Sequence, residues 1–402
     1  MLFQELNIIQ PIRTALENQG YAEPTPIQAK AIPLLLEGAD LLGCAQTGTG
    51  KTAAFAIPII QHLSQRVAAA PRGKRQIRAL IVAPTRELAT QIGNCFVAYS
   101  AHLSLRTLVI FGGVGQTPQT NVLRNGVDIL VATPGRLLDL IGQGFISLQN
   151  VDHFVLDEAD HMLDMGMIHE VKRIITHLPK QRQTMLFSAT MPIEIESLAH
   201  AILNKPVKIE IKPKFTPLDI IEQSVYFVDK ENKTALLAHL LGKTDYDSVI
   251  VFTRTKHGAD KVVKELARGG LTAAAIHGNK SQTNREWALD AFKHRKIRIL
   301  VATDIAARGL DIQELSHVVN YNLPEVPETY IHRVGRTGRA GLGGQAIAFC
   351  DYDELPLLNA IQKRIGKVLP EVRENPYPLL NTTLTPKAKP TQRPRRNFSR
   401  QR

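Results

Sequence analysis

Short, continuously apolar runs recur along the chain, and segments with helical periodicity separate them. In the first half these runs lie at 79–85, 107–113, 127–136, 153–160 and 184–190. Apolar and polar residues do not alternate within them, which is typical of parallel strands that helices cover on both faces. A second series lies at 248–255, 272–278, 297–304, 317–324 and 344–351. The pattern therefore predicts an α/β protein with two such domains in tandem.

The domain boundaries follow from where this pattern weakens. Proline and lysine accumulate between the two series, so we place the first domain at 1–206, a linker at 207–218 and the second domain at 219–369. Residues 385–402 contain seven basic residues and no acidic one, and such a segment cannot build a core. We therefore expect a basic, disordered tail over 370–402, which either strengthens binding to a polyanionic partner or only aids solubility.

Charge and composition narrow the class of protein. The formal net charge is +12, which favours a polyanionic partner, with nucleic acid ahead of a membrane; a merely solvated basic surface is the alternative. The three cysteines are widely spaced and form no CxxC pair, which suits a reducing cytoplasm. The N-terminus has no signal-peptide pattern, and no run of about 18 apolar residues predicts a membrane span.

A glycine-rich loop is the first candidate for chemistry. The stretch "AQTGTGKT" (45–52) lies between a short apolar run and a segment with helical periodicity. Gly48 and Gly50 would let backbone N–H groups face phosphates, Lys51 would reach the β- and γ-phosphates, and the Thr52 hydroxyl would ligate Mg²⁺. The first position is Ala45 where the general pattern has glycine, and a purely structural turn is the alternative.

Three carboxylates in "VLDEADHM" (155–162) follow an apolar run that predicts a buried strand. A metal–triphosphate complex needs an acid near its phosphate loop, so Asp157 would hold Mg²⁺, partly through water. Glu158 would orient and deprotonate the attacking water. Taken alone, the same letters also suit a solvated helix start, because acids favour helix N-termini.

The order of motifs resembles the DEAD-box RNA helicases of superfamily 2, and most closely the bacterial RhlE-like subgroup, over roughly residues 2–370. The matching stretches are "GYAEPTPIQ" (20–28), "AQTGTGKT", "PTRELA" (84–89), "GG" (112–113), "TPGR" (133–136), "DEAD" (157–160), "SAT" (188–190), "VFTRT" (251–255), "HG" (277–278), "SQTNR" (281–285), "ATDIAARGLD" (302–311) and "HRVGRTGR" (332–339). The resemblance implies two RecA-like domains, each a mostly parallel sheet flanked by helices. ATP would bind in the cleft between them, and RNA would lie across both.

The resemblance also implies a set of nucleotide-binding residues. Gln28, within a Q motif at 1–29, would select adenine, because its amide matches the N6/N7 edge of that base. Phe3 or Tyr21 would pack on the adenine ring, and Thr25 would contact the phosphate loop; "PTPIQ" alone would also predict a helix N-cap. The remaining nucleotide contacts would come from Ala45, Gln46, Thr47, Gly48, Thr49, Gly50, Lys51, Thr52, Gly309 and Asp311.

The second domain would complete the catalytic site. Arg333, Arg336 and Arg339 are three residues apart and would share one face if helical, although a basic surface helix is the alternative. By resemblance Arg336 and Arg339 act as arginine fingers on the γ-phosphate, so that hydrolysis requires domain closure. The expected coupling residues, which link the nucleotide state to closure, are Asp160, Ser188, Thr190 and His332.

The RNA path should use small, hydroxyl-bearing or arginine residues at strand ends and helix starts. These are Thr85, Arg86, Gly113, Thr133 and Arg136 in the first domain, and Arg254, Gly278, Gln282, Arg285 and Thr303 in the second. Such contacts recognise the backbone and not the bases, so we expect sequence-independent binding. The preference for RNA over DNA comes from the resemblance.

The sequence thus predicts a helicase that hydrolyses ATP to ADP and phosphate and locally unwinds short RNA duplexes or remodels RNA–protein complexes. An ATP-gated RNA clamp with little unwinding and a DNA translocase are the alternatives. We expect a cytoplasmic monomer that binds single strands and short duplexes, with ribosomal or RNA-decay complexes as candidate partners. His161, Met167 and Trp287 depart from the subgroup pattern, and the sequence assigns them no role.

Overall fold

The first domain is a parallel sheet with helices on both faces, in a computed structural model that describes residues 2–46, 48–67, 75–211, 221–243, 246–307, 312, 315–338 and 344–383. Its strands are β1 (Leu41–Cys44), β2 (Ala79–Val82), β3 (Thr107–Ile110), β4 (Ile129–Ala132), β5 (His153–Leu156), β6 (Gln183–Ser188) and β7 (Val207–Glu210). Its helices are α1 (Gln10–Asn18), α2 (Pro26–Leu36), α3 (Lys51–Val67), α4 (Arg86–Tyr99), α5 (Thr117–Arg124), α6 (Pro134–Gly142), α7 (Ala159–Asp164), α8 (Ile168–Ile175) and α9 (Ile193–Ile202). The strands lie in the order β3-β4-β2-β5-β6-β1-β7.

The continuous apolar runs form strands because both faces of this sheet are buried. Leu80 and Val82 of β2 pack in one apolar cluster together with Phe154 of β5. Ile81 points to the opposite face and packs in a second cluster with Val155. Burying one such side chain fully stabilises the fold by about 1.5–3 kcal/mol, which favours apolar residues on both faces.

The second domain repeats this design. Its strands are β8 (Ile221–Phe227), β9 (Val249–Phe252), β10 (Ala273–Ile276), β11 (Ile299–Ala302), β12 (His317–Asn320) and β13 (Gly344–Cys350), in the order β10-β11-β9-β12-β13-β8. Its helices are α10 (Lys233–Lys243), α11 (Lys256–Arg268), α12 (Gln282–Lys293), α13 (Asp304–Ala307), α14 (Pro327–Val334) and α15 (Leu355–Ile365). All of its strand pairs are parallel, which confirms the predicted fold class.

The predicted start of the linker is wrong. Val207–Glu210 forms β7, which pairs with β1 in the register Leu41↔Val207, so the first domain extends at least to Glu210. Only Ile209 of this strand is buried, because β7 is an edge strand with one covered face. An edge strand with few buried residues carries a weak apolar signal, which explains the error. Residues 212–218 of the predicted linker lie outside the described residues.

The predicted disorder from residue 370 onward is wrong for residues 370–383. The backbone of this segment pairs with β8: the Val225 N–H donates to Pro370 O at 2.9 Å, and the Val372 N–H donates to Val225 O at 3.0 Å. Asn375 Nδ2 donates to Phe227 O at 2.8 Å. Residues 370–383 are therefore held by hydrogen bonds to the open edge of the sheet and not by a large apolar core of their own. The basic residues 384–402 lie outside the described residues.

Parallel pairing places the carboxyl ends of all strands in a sheet at one edge. In open α/β sheets, ligands bind at that edge. The loops after β1, β5 and β6 therefore meet there; the first two carry residues predicted to bind ATP and Mg²⁺, and the third carries the predicted coupling residue Thr190. In the described ranges, no helix is long and apolar enough to cross a membrane.

Candidate functional site

The phosphate loop connects β1 to α3. Gly48 and Gly50 adopt φ values of +83° and +90°, which side chains rarely tolerate. A Cβ on Gly50 would also overlap the Gln28 amide. Lys51 begins α3 and is buried, with Nζ 3.0 Å from Ala45 O and 4.0 Å from Asp157 Oδ1. Because backbone N–H groups, a helix N-terminus and a buried cation meet here, the loop is built to bind phosphate.

Gln28 links the start of α2 to this loop. Its Oε1 accepts a hydrogen bond from the Thr25 N–H at 2.9 Å, and its Nε2 donates to Gly50 O at 3.1 Å. The amide thus fixes the loop, and selection of adenine by Gln28 stays a prediction. Phe3 and Tyr21 pack edge to face with ring centroids 6.0 Å apart, so the two rings proposed for adenine lie side by side.

Asp157 and Glu158 follow β5 and are both buried. Burial raises the pKa of Asp157 to about 6, because Lys51 only partly offsets the loss of water and Glu158 adds negative charge. Asp157 Oδ1 accepts a hydrogen bond from the Glu158 N–H at 3.0 Å. That bond supports Glu158 at φ +55°, a left-handed conformation that costs about 1 kcal/mol or more in a non-glycine residue.

Glu158 has a neighbour that the sequence analysis left without a role. Its Oε2 lies 2.8 Å from Nδ1 of His161, which is also buried. Burial would raise the pKa of Glu158, but the His161 hydrogen bond and the charges of His161, Lys51 and Arg336 lower it to about 2. Glu158 is therefore held as a carboxylate and can accept a proton.

The predicted coupling residues of the first domain contact one another. Asp160 Oδ2 accepts hydrogen bonds from the N–H and the hydroxyl of Thr190, at 3.0 and 3.1 Å. The Asp160 N–H donates to Ser188 Oγ at 3.2 Å, and the Ser188 hydroxyl donates to Thr190 O at 2.7 Å. This network joins the carboxylate loop to the end of β6. The side chain of Asp160 therefore binds Thr190 just after the end of β6.

The second domain places His332 and Arg336 next to His161 and Glu158 of the first domain. The His161 and His332 rings meet edge to face with centroids 5.8 Å apart. A cavity of about 250 Å³ lies between the domains and is lined by residues of both: Gln46, His161, Ala189 and Thr190 from the first, and Glu328, Ile331, His332, Gly335, Arg336 and Arg364 from the second. The charge of Arg336 lowers the pKa of Glu158, and the role of Arg336 as an arginine finger stays a prediction.

Arg333 and Arg336 do not meet the condition for sharing a helical face. Helix α14 ends at Val334, so Arg336 lies beyond it. Arg333 is buried and binds both carboxylate oxygens of Asp304, at 2.5 and 2.7 Å. Arg333 Nη1 also donates to Asn320 Oδ1 of β12 at 3.0 Å, so Arg333 fixes α14 to α13 and to the second domain's sheet. Thr47, Gly309, Asp311 and Arg339 lie outside the described residues.

Half of the predicted RNA contacts line one groove between the domains. This groove encloses about 370 Å³, and its lining includes Thr85, Arg86, Thr133, Arg136 and Arg285. Gly113 faces the groove's Arg86, because a Cβ there would overlap that guanidinium. Met165, Met167 and Ile305 supply apolar lining. Met167 thus acquires a place that its sequence context alone did not indicate.

The other predicted RNA contacts do not line that groove. Arg254 Nη2 binds Glu354 Oε1 at 2.9 Å, and Gln282 Nε2 donates to Glu286 Oε1 at 2.9 Å. Gly278 has open space where a Cβ would stand, and Thr303 follows the end of β11. Trp287 is 61% exposed on the outer side of α12, and nothing in the structure explains it.

Two further residues at these surfaces, Glu87 and Glu354, have no signal in the sequence pattern. Glu87 Oε2 lies 2.8 Å from Arg285 Nη2 across the two domains, and both side chains are buried. Glu354 holds Arg254. Glu87 stands inside "PTRELA", next to the residues predicted to bind RNA, but its partner is 198 positions away, so no local pattern marks the pair.

Comparison with known proteins agrees with this geometry. The sequence model of the DEAD/DEAH box helicase family matches residues 25–198, and that of the helicase conserved C-terminal domain matches residues 232–341. The CshA DEAD-box ATP-dependent RNA helicase of Geobacillus kaustophilus is 44% identical over 361 residues, covering 90% of this chain and 76% of the relative. The ATP-dependent rRNA helicase rrp3 of Emericella nidulans is 43% identical over 371 residues, covering 92% and 78%.

Solved structures confirm the RecA-like fold. S. cerevisiae Dbp5 bound to RNA and ADP BeF3 matches with a TM-score of 0.78 at 30% identity, covering 92% of this chain and 95% of that one. A DEAD box protein from Methanococcus jannaschii matches with a TM-score of 0.52 at 40% identity, covering 93% and 99%. The relatives above are named CshA and rrp3, so the RhlE-like subgroup stays a prediction. The chain belongs to the family of DEAD-box ATP-dependent RNA helicases, which are RNA-stimulated ATPases.

Proposed function

We propose that this helicase hydrolyses ATP at the junction of its two domains, with Lys51, Asp157 and Glu158 from the first and Arg336 and Arg339 from the second. The observation that carries the proposal is the meeting of Glu158, His161, His332 and Arg336 across the cleft. An acid held ionised opposite a buried arginine suits water activation beside a γ-phosphate.

Phosphate binding falls to the loop before α3. Lys51 and the loop's N–H groups would bind the β- and γ-phosphates, with Ala45, Gln46, Thr47, Gly48, Thr49 and Gly50 forming the cradle. Asp157 and the Thr52 hydroxyl fit Mg²⁺, because they are hard oxygen donors and Lys51 only partly balances the buried carboxylates. No group of three or more metal-ligating side chains exists in the described part of the chain, which suits an ion that also binds phosphate and water. Bound Mg²⁺ neutralises developing phosphate charge.

Glu158 would orient the attacking water and accept its proton. The carboxylate is held ionised, so it needs no deprotonation before it acts. Arg336, with Arg339, would stabilise negative charge on the transferred phosphoryl group. Because both arginines belong to the second domain, hydrolysis would depend on closure. Asp160, Ser188, Thr190 and His332 would transmit that dependence.

The nucleoside would bind beside α2. Gln28 would recognise adenine, Phe3 or Tyr21 would pack on its ring, Thr25 would support the loop, and Gly309 and Asp311 would contact the nucleotide from the second domain. Support comes from Gln28 and Gly50, which are already hydrogen-bonded, and from the packing of Phe3 on Tyr21. Nucleotide binding and loop geometry would therefore be linked.

RNA would lie in the groove between the domains and reach Arg254, Gly278, Gln282 and Thr303 beyond it. The groove presents arginines and hydroxyls from both domains, which suits phosphate and sugar contact without base recognition. We further propose a monomer in the cytoplasm that acts on single strands and short duplexes, within ribosomal or RNA-decay complexes. A chain that only clamps RNA would show RNA-stimulated ATPase without strand displacement.

Lys51→Ala and Glu158→Gln test the proposal, with the exposed substitutions Lys30→Ala and Glu17→Gln as controls. RNA-stimulated ATPase and strand displacement should fall at least about 100-fold in both site variants and stay near wild type in the controls. Wild-type ATPase in both site variants would contradict the catalytic assignment. Displacement lost while ATPase remains in the wild type would identify the clamp.

A further inference from the structure

His161, in α7, is the residue that follows the three carboxylates, and the family resemblance gives it no role. Its side chain is about 5% exposed and is not part of either apolar cluster of the first domain. A buried histidine outside the apolar core needs polar partners. Its surroundings therefore indicate what it does.

The first partner of His161 is Glu158. Nδ1 of His161 lies 2.8 Å from Glu158 Oε2, and both groups are buried. A glutamate carboxylate at neutral pH can only accept, so Nδ1 carries the hydrogen and donates it. A charge-assisted hydrogen bond of this length fixes the direction of the carboxylate. Since the Glu158 backbone is itself in the left-handed region, this bond acts on a residue with few alternative conformations.

The second partner of His161 comes from the other domain. The edge contact with His332 of α14 exists only while the two domains lie together. Both rings line the cavity that also contains Arg336. His161 therefore stands between the proposed base and the element that carries the proposed arginine finger.

We propose that His161 is a positioning residue for Glu158: its Nδ1–H holds the carboxylate in the direction of the attacking water, and the His332 ring holds the imidazole in place when the domains close. The inference rests on the proposed role of Glu158 as the base. It gives His161 a function in the reaction without contact to ATP. Misplacing a catalytic group by about 1 Å costs up to about 100-fold in rate, so the effect is measurable.

The test compares His161→Phe with His161→Asn. Phenylalanine keeps a ring beside His332 but has no hydrogen-bond donor. Asparagine lacks the ring but keeps an N–H donor, because its Nδ2 is bonded to Cγ as Nδ1 of histidine is. We expect His161→Phe to lower kcat of the RNA-stimulated ATPase about 10- to 100-fold, with KM for ATP within about twofold of wild type. His161→Asn should recover most of that loss. His169→Phe, at an exposed position on α8, is the control and should leave both constants unchanged.

A double-variant cycle tests the His332 contact. If His332 acts through the His161 ring, the losses of His161→Phe and His332→Ala should not multiply, and the double variant should lie within about threefold of the worse single variant. Multiplying losses would overturn the part assigned to His332. Should His161→Phe melt below the assay temperature, His161→Leu replaces it in the same comparison.

Glu158→Gln in the same assay separates the two proposals. If Glu158→Gln is inactive while His161→Phe keeps the wild-type kcat, the positioning role is wrong and the proposed function stands. If Glu158→Gln is fully active, the proposed function itself fails. A rise in KM with kcat unchanged in His161→Phe would also overturn the inference, because it would indicate a binding role.

Discussion

Each domain buries a cluster of charged side chains at the carboxyl ends of its strands, and the two clusters differ in how well their charges balance. The first-domain cluster contains Lys51, Asp157, Glu158 and Asp160, and the second-domain cluster contains the buried Lys233, Asp351 and Glu354 with Arg254, which is 43% exposed, at its edge. The first has three carboxylates and one lysine. The second has two cations and two carboxylates.

The distances between lysine and carboxylate also differ between the two clusters. Lys233 Nζ lies 2.9 Å from Asp351 Oδ2 and 2.5 Å from Glu354 Oε2, while Lys51 is 4.0 Å from Asp157. Buried charges are costly unless paired, so the second cluster is complete and serves the fold. The first-domain cluster has fewer positive than negative charges, which suits the Mg²⁺ ion that we propose binds there.

Lys233→Ala should produce the largest change in stability. It would leave Asp351 and Glu354 buried with only Arg254 nearby, and breaking a buried ion pair in this way costs about 3–5 kcal/mol. For a domain of this size the second domain's melting temperature should fall by roughly 10 °C. Differential scanning calorimetry measures this fall. Lys230→Ala, at an exposed neighbouring position, is the matched control, and a loss in Lys233→Ala below about 1 kcal/mol would remove the contrast between the clusters.

Asp157→Asn should do the reverse, with a large loss of activity and no loss of stability. Asparagine keeps an oxygen that can accept from the Glu158 N–H, but it removes a buried negative charge that Lys51 balances only in part. RNA-stimulated ATPase should fall about 100-fold or more, because the proposed metal and phosphate site would lose its carboxylate. The first domain's melting temperature should not fall.

Steady-state kinetics and thermal melting of the same preparation check the Asp157→Asn prediction. Asp164→Asn is the control, since it removes a carboxylate from an exposed position on the same helix region. A melting temperature lower by about 5 °C or more, or about 2 kcal/mol, would show that Asp157 also serves the fold.

Local sequence was enough to predict the parts of this molecule that chemistry or burial specifies locally. The phosphate loop needs Gly48 and Gly50 at positive φ and Lys51 at a helix start, and the sequence contains all three. The buried strands are evident as apolar runs because both of their faces are covered. These requirements leave little choice of residue, so the order of residues alone is sufficient to predict these elements.

Partners distant in the chain could not be predicted in this way. Strand β7 has one buried residue, and the segment after Pro370 adds to a sheet edge through backbone groups that every sequence possesses. The Glu87–Arg285 pair and the His161–His332 contact depend on how two domains meet. The same residues would fit an exposed surface equally well, and only the three-dimensional arrangement shows that they form an interdomain contact.

The next prediction concerns the Glu87–Arg285 ion pair, which joins the two domains. Arg285→Ala, Glu87→Ala and the double variant should show a coupling energy of about 1.5 kcal/mol or more in RNA affinity measured with a non-hydrolysable ATP analogue. The coupling should vanish without nucleotide, because the pair exists only when the domains lie together. Fluorescence titration with labelled RNA gives these affinities. Arg268→Ala, an exposed arginine on α11, corrects for general loss of charge, and additive effects of the two variants would contradict a link through this pair.

The smallest expected effect comes from an exposed ion pair beside the same cleft. Arg364 Nε donates to Glu328 Oε1 at 2.7 Å, but both side chains are about half exposed, so Glu328→Gln should cost less than about 1 kcal/mol. The Arg364 hydrogen bond holds the pKa of Glu328 below its ordinary value of 4.5, so the folded state binds that proton less tightly than the unfolded state. The stabilisation is therefore present above pH 4.5 and is lost as the pH falls through the lowered pKa. Urea unfolding of wild type and Glu328→Gln should differ slightly at about pH 7 and converge in acid; a difference that exceeds about 2 kcal/mol or grows in acid would place this pair with the buried cluster of Lys233.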